Sequence, residues 1–109
     1  MMGKHYLLQL YGVDYDKLDN ESYLCSLIEL AAETSGATVI QTISKKFDPH
    51  GVTAVSLLSE SHISIHTWPE TLEAAVDIFT CGKCDPKIAC DVMIQQLRPE
   101  DHTLSYIER

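Results

Sequence analysis

Between His62 and Trp68 the chain alternates, with His62, Ser64, His66 and Trp68 on one parity and Ile63 and Ile65 on the other. Successive strand residues face opposite sides, so this stretch predicts a strand with one apolar face and one polar, aromatic face. Such a strand must bury its apolar side against something.

The neighbouring patterns say what. His5 to Tyr11, Val39 to Ile43, Val52 to Leu58, Ala74 to Thr80 and Thr103 to Ile107 are short segments rich in apolar, aromatic or β-branched residues and read as further strands. Leu24, Leu27, Ile28, Ala31 and Ser35 recur at three- and four-residue steps. They predict a helix from about Leu18 to Ser35, with Gly36 as a left-handed stop. Asp85 and Pro86 open a second helix as N-cap and first-turn residue, Ala89, Val92, Met93, Gln96 and Leu97 line one side of it, and Pro99 closes it. The expected fold is α+β: a two-layer α/β sandwich with a mostly antiparallel sheet and both helices on one face. The other sheet face then needs solvating side chains or a second subunit.

The length of 109 residues suits one domain with one core. The formal net charge of -8 argues against a protein that grips nucleic acid through its phosphates. Eight acidic residues fall in 1–60 and eight in 61–109, so there is no acidic tail. No apolar run is long enough for a membrane span and no secretory signal is evident, so a cytoplasmic protein with reduced thiols is expected.

Chemistry concentrates around Glu60-Ser61. A serine hydroxyl held beside the preceding carbonyl can attack it, converting the amide to an ester. Elimination would leave dehydroalanine, which hydrolyses to a pyruvoyl group and ammonia. This needs a strained turn, an acid or base nearby and exclusion of water. The dipeptide alone carries no such information, and His66 and Trp68 are equally readable as a surface histidine and a packing anchor. Cys81-Gly82-Lys83-Cys84 with His62 and His66 offers a rival zinc set. On a strand the two histidines would stand roughly 13 Å apart, too far for one ion, so no metal is expected. A thioredoxin-like setting for the Cys-x-x-Cys pair is also missing, and Cys84 and Cys90 read as ordinary structural cysteines.

Ser59-Glu60-Ser61-His62-Ile63-Ser64-Ile65-His66-Thr67-Trp68-Pro69-Glu70, followed by Ala74-Ala75-Val76-Asp77-Ile78-Phe79-Thr80-Cys81-Gly82, closely resembles the small prokaryotic S-adenosylmethionine decarboxylase proenzymes. Leu8 to Gly12, Ser35 to Val39, and Phe47 with the turn Pro49-x-Gly51-Val52 extend the resemblance over nearly the whole chain. It implies self-cleavage at Glu60–Ser61 into residues 1–60 and 61–109, with Ser61 becoming a covalent pyruvoyl cofactor. That ketone would form a Schiff base with S-adenosylmethionine and accept the electrons released as carbon dioxide leaves, for spermidine synthesis. His66 is implied as the processing histidine, Thr53 as its hydroxyl assistant and Cys81 as the acid that reprotonates the substrate carbon. Phe47 and Trp68 are implied to sandwich the adenine, Glu70 to bind the ribose and Ile63 to touch the substrate. A homodimer with shared sites is implied as well.

Thr53 stands where the family usually has serine, Lys45-Lys46 where a His-Arg pair is usual, and the opening Lys4-His5-Tyr6 differs from the usual Gly-x-His-Leu. Rival readings are an ornithine or arginine decarboxylase on the same scaffold, a non-cleaving regulatory homologue, and a metal module using Cys81 and Cys84.

Overall fold

A computed structural model describes residues 3–109. Six strands form one sheet: β1 (Gly3–Tyr11), β2 (Val39–Lys46), β3 (Val52–Leu58), β4 (Ser61–Trp68), β5 (Glu73–Cys81) and β6 (Asp101–Glu108). Their spatial order is β2-β3-β4-β5-β1-β6, and every neighbouring pair is antiparallel. The helices are a short α1 (Tyr15–Leu18), then α2 (Glu21–Thr34) and α3 (Pro86–Leu97). Helix α2 lies on β2, β3 and β4, and α3 on β1 and β5, so both long helices cover the same face.

The strand alternation decides which side chains go under the helices. Leu8, Leu10, Ala54, Leu58, Ile63, Ile65, Val76 and Ile78 are buried there against Leu24, Ile28, Ala89 and Met93. Burying such a side chain contributes roughly 1.5–3 kcal/mol relative to exposure. The outer strand β2 meets α2 through polar groups instead. Ser44 Oγ donates to Glu21 Oε2 at 2.6 Å, and Thr42 Oγ1 donates to Glu29.

The sheet and its two covering helices follow the sequence-based expectation, with three differences in detail. The first helix does not run from Leu18. Asp19 closes α1 and Asn20 caps α2, its side chain accepting from the Tyr23 N–H at 3.1 Å, and this local hydrogen bond wins over continuous periodicity. On α3, Gln96 is exposed, and the buried side is Pro86, Ala89, Cys90, Met93 and Leu97. Each strand except β3 extends beyond its expected limits.

The face away from the helices is open, and the register arranges its side chains in rows. One row reads Leu57, His62, Phe79, His5, Ile107, and the next Ile43, Val55, Ser64, Asp77, Leu7, Ser105. A third reads Lys45, Thr53, His66, Ala75, Gln9, Thr103.

Candidate active site

Leu58 pairs with Ser61, so Ser59 and Glu60 form a two-residue turn between β3 and β4. Glu60 has φ 66, a left-handed conformation that tight turns ordinarily give to glycine or asparagine. A residue with a Cβ held there stores on the order of 1–3 kcal/mol of strain. The turn is pinned by Ser59, whose N–H donates to the Thr38 carbonyl at 3.2 Å. Ser61 follows at once and is buried at 8% exposure, out of bulk water. The strained turn and the shielded hydroxyl therefore meet at the Glu60–Ser61 bond.

Cys81 ends β5 and pairs with Gly3 on β1. A Cβ on Gly3 would stand 2.6 Å from Phe79 Cζ and in ordinary contact, 3.4 Å, with Cys81 Sγ, so the glycine leaves the Phe79 ring its space beside the thiol. Cys81 and the Glu60–Ser61 bond lie at the same end of the sheet, because β4 begins where β5 finishes.

The remaining expected residues gather at the other end. His66 faces Thr53 across the β3–β4 ladder, with Nδ1 3.0 Å from Thr53 Oγ1. Trp68 ends β4 and Phe47 follows β2, and each is 45% exposed. Gly51 sits between them. Its carbonyl accepts the Phe47 N–H at 2.8 Å, and a Cβ there would stand 3.3 Å from the Thr67 carbonyl oxygen. The two rings thus belong to strands two apart in the sheet, with β3 between them. Glu70 lies in the 3-10 turn Pro69–Thr71 just after Trp68, with a carboxylate oxygen 3.2 Å from His50 Nε2.

Ser61 and His66 are thus not brought together within one chain. Five residues of strand separate them, roughly 16 Å, and they project to opposite sides of the sheet. Ile63 is a correction: its side chain is 0% exposed beneath the helices, on the face away from Trp68 and His66, and cannot line a site there. The alternation of β4 already assigns it to that apolar side.

Sequence reasoning missed a polar cluster beside Ser61. The two carboxylate oxygens of Asp77 hold two histidines, Oδ1 with His5 Nε2 and Oδ2 with His62 Nε2, the latter at 3.0 Å. Arg109 Nη1 stands 3.3 Å from His5 Nδ1. A guanidinium only donates, so Nδ1 of His5 accepts and its Nε2 carries the proton given to Asp77. The Phe79 ring packs against both imidazoles, which also meet each other edge-on, with Arg109 over its face at 5.2 Å. Burial pushes the Asp77 carboxyl up, but the hydrogen bonds from His5 and His62 together outweigh it, and the group lies below the ordinary carboxylate range. The donor atoms of this trio lie within 4.8 Å of one another, close enough to hold a metal ion. Their mutual hydrogen bonds account for the cluster without one. No local signal marks the trio, because its residues come from three strands.

A cavity of about 530 Å³ opens elsewhere, lined by Asp16, Asp19, Asn20, Glu21, Ser22 and Lys46. None of the residues discussed above as catalytic or substrate-binding lines it.

A family model described as S-adenosylmethionine decarboxylase matches residues 4–109. The chain belongs to the S-adenosylmethionine decarboxylase family. It is 47% identical over 110 residues to the S-adenosylmethionine decarboxylase proenzyme of Prochlorococcus marinus (strain MIT 9313), covering 100% of this chain and 88% of that one. With the proenzyme of Synechococcus sp. (strain WH7803) it shares 50% over 105 residues, covering 95% and 82%. The crystal structure of the adenosylmethionine decarboxylase from Aquifex aeolicus VF5 superposes with a TM-score of 0.91 at 44% identity, covering 99% of this chain and 90% of that chain. The family's fold is therefore the sheet and two-helix layer described above.

Proposed function

We propose that this chain is a self-cleaving proenzyme that decarboxylates S-adenosylmethionine. The Glu60–Ser61 bond breaks, leaving residues 1–60 and 61–109, and Ser61 becomes a pyruvoyl group. The observation that carries this reading is the coincidence of a left-handed, non-glycine Glu60 with a buried Ser61 hydroxyl at the next residue. Cutting the bond releases the strain of the turn, so the ground state is already raised toward reaction. The residues at this end fit the group: Ser61 supplies its atoms, and Cys81 at the end of β5 offers a proton. A pyruvoyl group supplies an electron sink for the pair released when carbon dioxide leaves.

The chain's own residues supply the rest. Phe47 and Trp68 are both half-exposed and offer aromatic faces on which a purine can stack and which favour the sulfonium cation of the substrate. Glu70 offers a carboxylate to the ribose hydroxyls. The formal charge of -8 favours a cationic substrate over an anionic one.

The distance between the two residue groups supports a homodimer. His66 cannot reach Ser61 in its own chain, so a partner must deliver it. The open face is suited to a partner, since Ile43 and Leu57 stand there 64% and 50% exposed beside Leu7 and Val55. A second sheet packed on that face would cover this apolar surface. It would also bring one copy's Phe47, Thr53, His66, Trp68 and Glu70 toward the end of the other's sheet where Cys81 and the Glu60–Ser61 bond lie, and the Glu60–Ser61 turn would present its backbone rather than the helix-side Ser61 side chain to them.

Intact mass under denaturing conditions tests the cleavage. Two fragments, the second starting with a pyruvoyl group, are the expected result, and a single mass for 109 residues opposes it. Carbon dioxide release from S-adenosylmethionine, ornithine and arginine then tests the substrate. Turnover of either amino acid without S-adenosylmethionine turnover would sink the assignment.

A further inference from the structure

Thr80 has a hydroxyl that the fold does not use. Its side chain is 0% exposed, and Oγ1 has no hydrogen-bond partner. An unsatisfied buried hydroxyl costs about 1–3 kcal/mol, and valine would fill the same space without that cost. Two other fully or nearly buried hydroxyls of the sheet are satisfied. Thr67 Oγ1 donates to the Leu18 carbonyl at 2.7 Å, and Ser56 Oγ pairs with Thr42 Oγ1 at 2.7 Å.

The register places this orphan next to the proposed cleavage site. Ile63 pairs with Ile78 and His62 with Phe79 across β4 and β5. One step further along the same antiparallel register, Ser61 lies opposite Thr80. Both project to the helix side, two residues beyond the buried Ile63–Ile78 pair, and Ser61 is itself only 8% exposed. Directly opposed side chains in an antiparallel ladder have Cβ atoms about 4.5–5.5 Å apart. A change of χ1 at either residue therefore brings the two hydroxyls within hydrogen-bond reach. On its other flank Thr80 is opposite Lys4, whose ammonium cannot accept a hydrogen bond.

We propose that Thr80 positions the Ser61 nucleophile for self-cleavage, an inference that rests on the Glu60–Ser61 reading above. Thr80 Oγ1 accepts a hydrogen bond from the Ser61 hydroxyl, turning a Ser61 lone pair toward the Glu60 carbonyl carbon. The bond from Ser61 Oγ to that carbon then forms, and the bond from the carbon to the Ser61 nitrogen breaks. The hydroxyl proton ends on the nitrogen, which becomes a free amine. Thr80 keeps its own proton throughout, and no co-reactant is needed.

The test compares the full-length parent with Thr80→Val and Thr80→Ser. Freshly synthesised chain is followed by intact mass over time, and thermal unfolding of the uncut form is measured alongside. Thr80→Val is expected to slow cleavage by about tenfold to a hundredfold, the scale of a misplaced reacting group. It is also expected to leave the midpoint of unfolding unchanged or raised, and Thr80→Ser to restore the parent rate to within about twofold. A Thr80→Val chain that folds and cleaves at the parent rate overturns the proposal. If valine prevents folding, Thr80→Ala against Thr80→Ser makes the same comparison, and equal rates overturn it. A parent chain that stays uncut overturns the underlying cleavage reading, a result distinct from a cleaving parent with an indifferent Thr80.

Discussion

Thr53 Oγ1 and His66 Nδ1 stand 3.0 Å apart on neighbouring strands, paired residue against residue. The extra methyl of threonine, relative to serine, leaves this contact intact while narrowing the choice of χ1. Thr53→Ser is therefore expected to cleave at a rate within about threefold of the parent. Thr53→Val, which removes the partner of Nδ1, should slow cleavage by about tenfold or more. Equal rates for the parent and Thr53→Val in a mass-spectrometric time course would remove Thr53 from the processing site.

The separation of Ser61 from His66 leads to a mixing experiment. Ser61→Ala and His66→Gln chains should each remain uncut alone. Co-expressed as differently tagged copies, they form mixed dimers in which the His66→Gln chain keeps its serine and receives histidine from its partner. That chain alone should be cleaved. If it stays whole in verified mixed dimers, the shared-site reading is wrong.

Cys81 is expected to separate cleavage from turnover. Cys81→Ala should still yield fragments 1–60 and 61–109 but lose roughly 10²–10⁴-fold in kcat, the usual worth of a positioned proton donor. Burial pushes the Cys90 thiol up to about 12 and leaves it unreactive at neutral pH, but Cys25 and Cys84 are free and part-exposed like Cys81, so alkylation is compared between the parent and Cys81→Ala. Full activity in Cys81→Ala would rule out the proton-donor role.

How much of this was readable in the chain itself differs by element. The six strands and the face of β4 follow from local alternation, and the same alternation correctly buries Ile63. The Glu60 turn is visible only as a short gap between two strands; its left-handed φ is imposed by the pairing of Leu58 with Ser61. The Asp77 cluster is invisible in the sequence, since His5 lies 72 residues from Asp77 and only the β1–β5 register joins them. Thr80 was hidden in the same way, reading as one more strand threonine until its neighbours were known.

Asp77 makes stability depend on acid pH in a definite direction. Its carboxyl lies below the ordinary range in the folded protein, so the stabilisation is present above the unfolded value of about 3.9. It is lost as pH falls through the lowered folded value. The thermal midpoint of the parent should therefore drop on passing from pH 5 toward pH 3, to which other carboxylates contribute. Asp77→Asn should show a lower midpoint at neutral pH and a shallower acid limb. An unchanged limb in Asp77→Asn would dissociate the clamp from acid stability.

Gly3 is held by contact. Its φ is not in the left-handed region that favours glycine, yet a Cβ would stand 2.6 Å from Phe79 Cζ. Gly3→Ala should destabilise by roughly 1–3 kcal/mol, the usual cost of overpacking. It should also reduce turnover, because the displaced Phe79 ring lies two residues from Cys81 on β5. Denaturant unfolding and steady-state kinetics check both, and a variant with the parent's stability and kcat would mean that Phe79 simply moves aside.

The strand order β2-β3-β4-β5-β1-β6 gives the proposed nick between Glu60 and Ser61 a kinetic consequence. Residues 1–60 contribute β1, β2 and β3, and residues 61–109 contribute β4, β5 and β6. Strand β1 has only β5 and β6 as neighbours, and β6 has only β1, so each piece leaves strands unmatched without the other. The uncut chain reassembles by a first-order process, at a rate independent of dilution. The cut molecule must find its other half, and its recovery slows as it is diluted. Maturation thus writes a record into the molecule: the reaction order of refolding tells whether a given population has ever been processed.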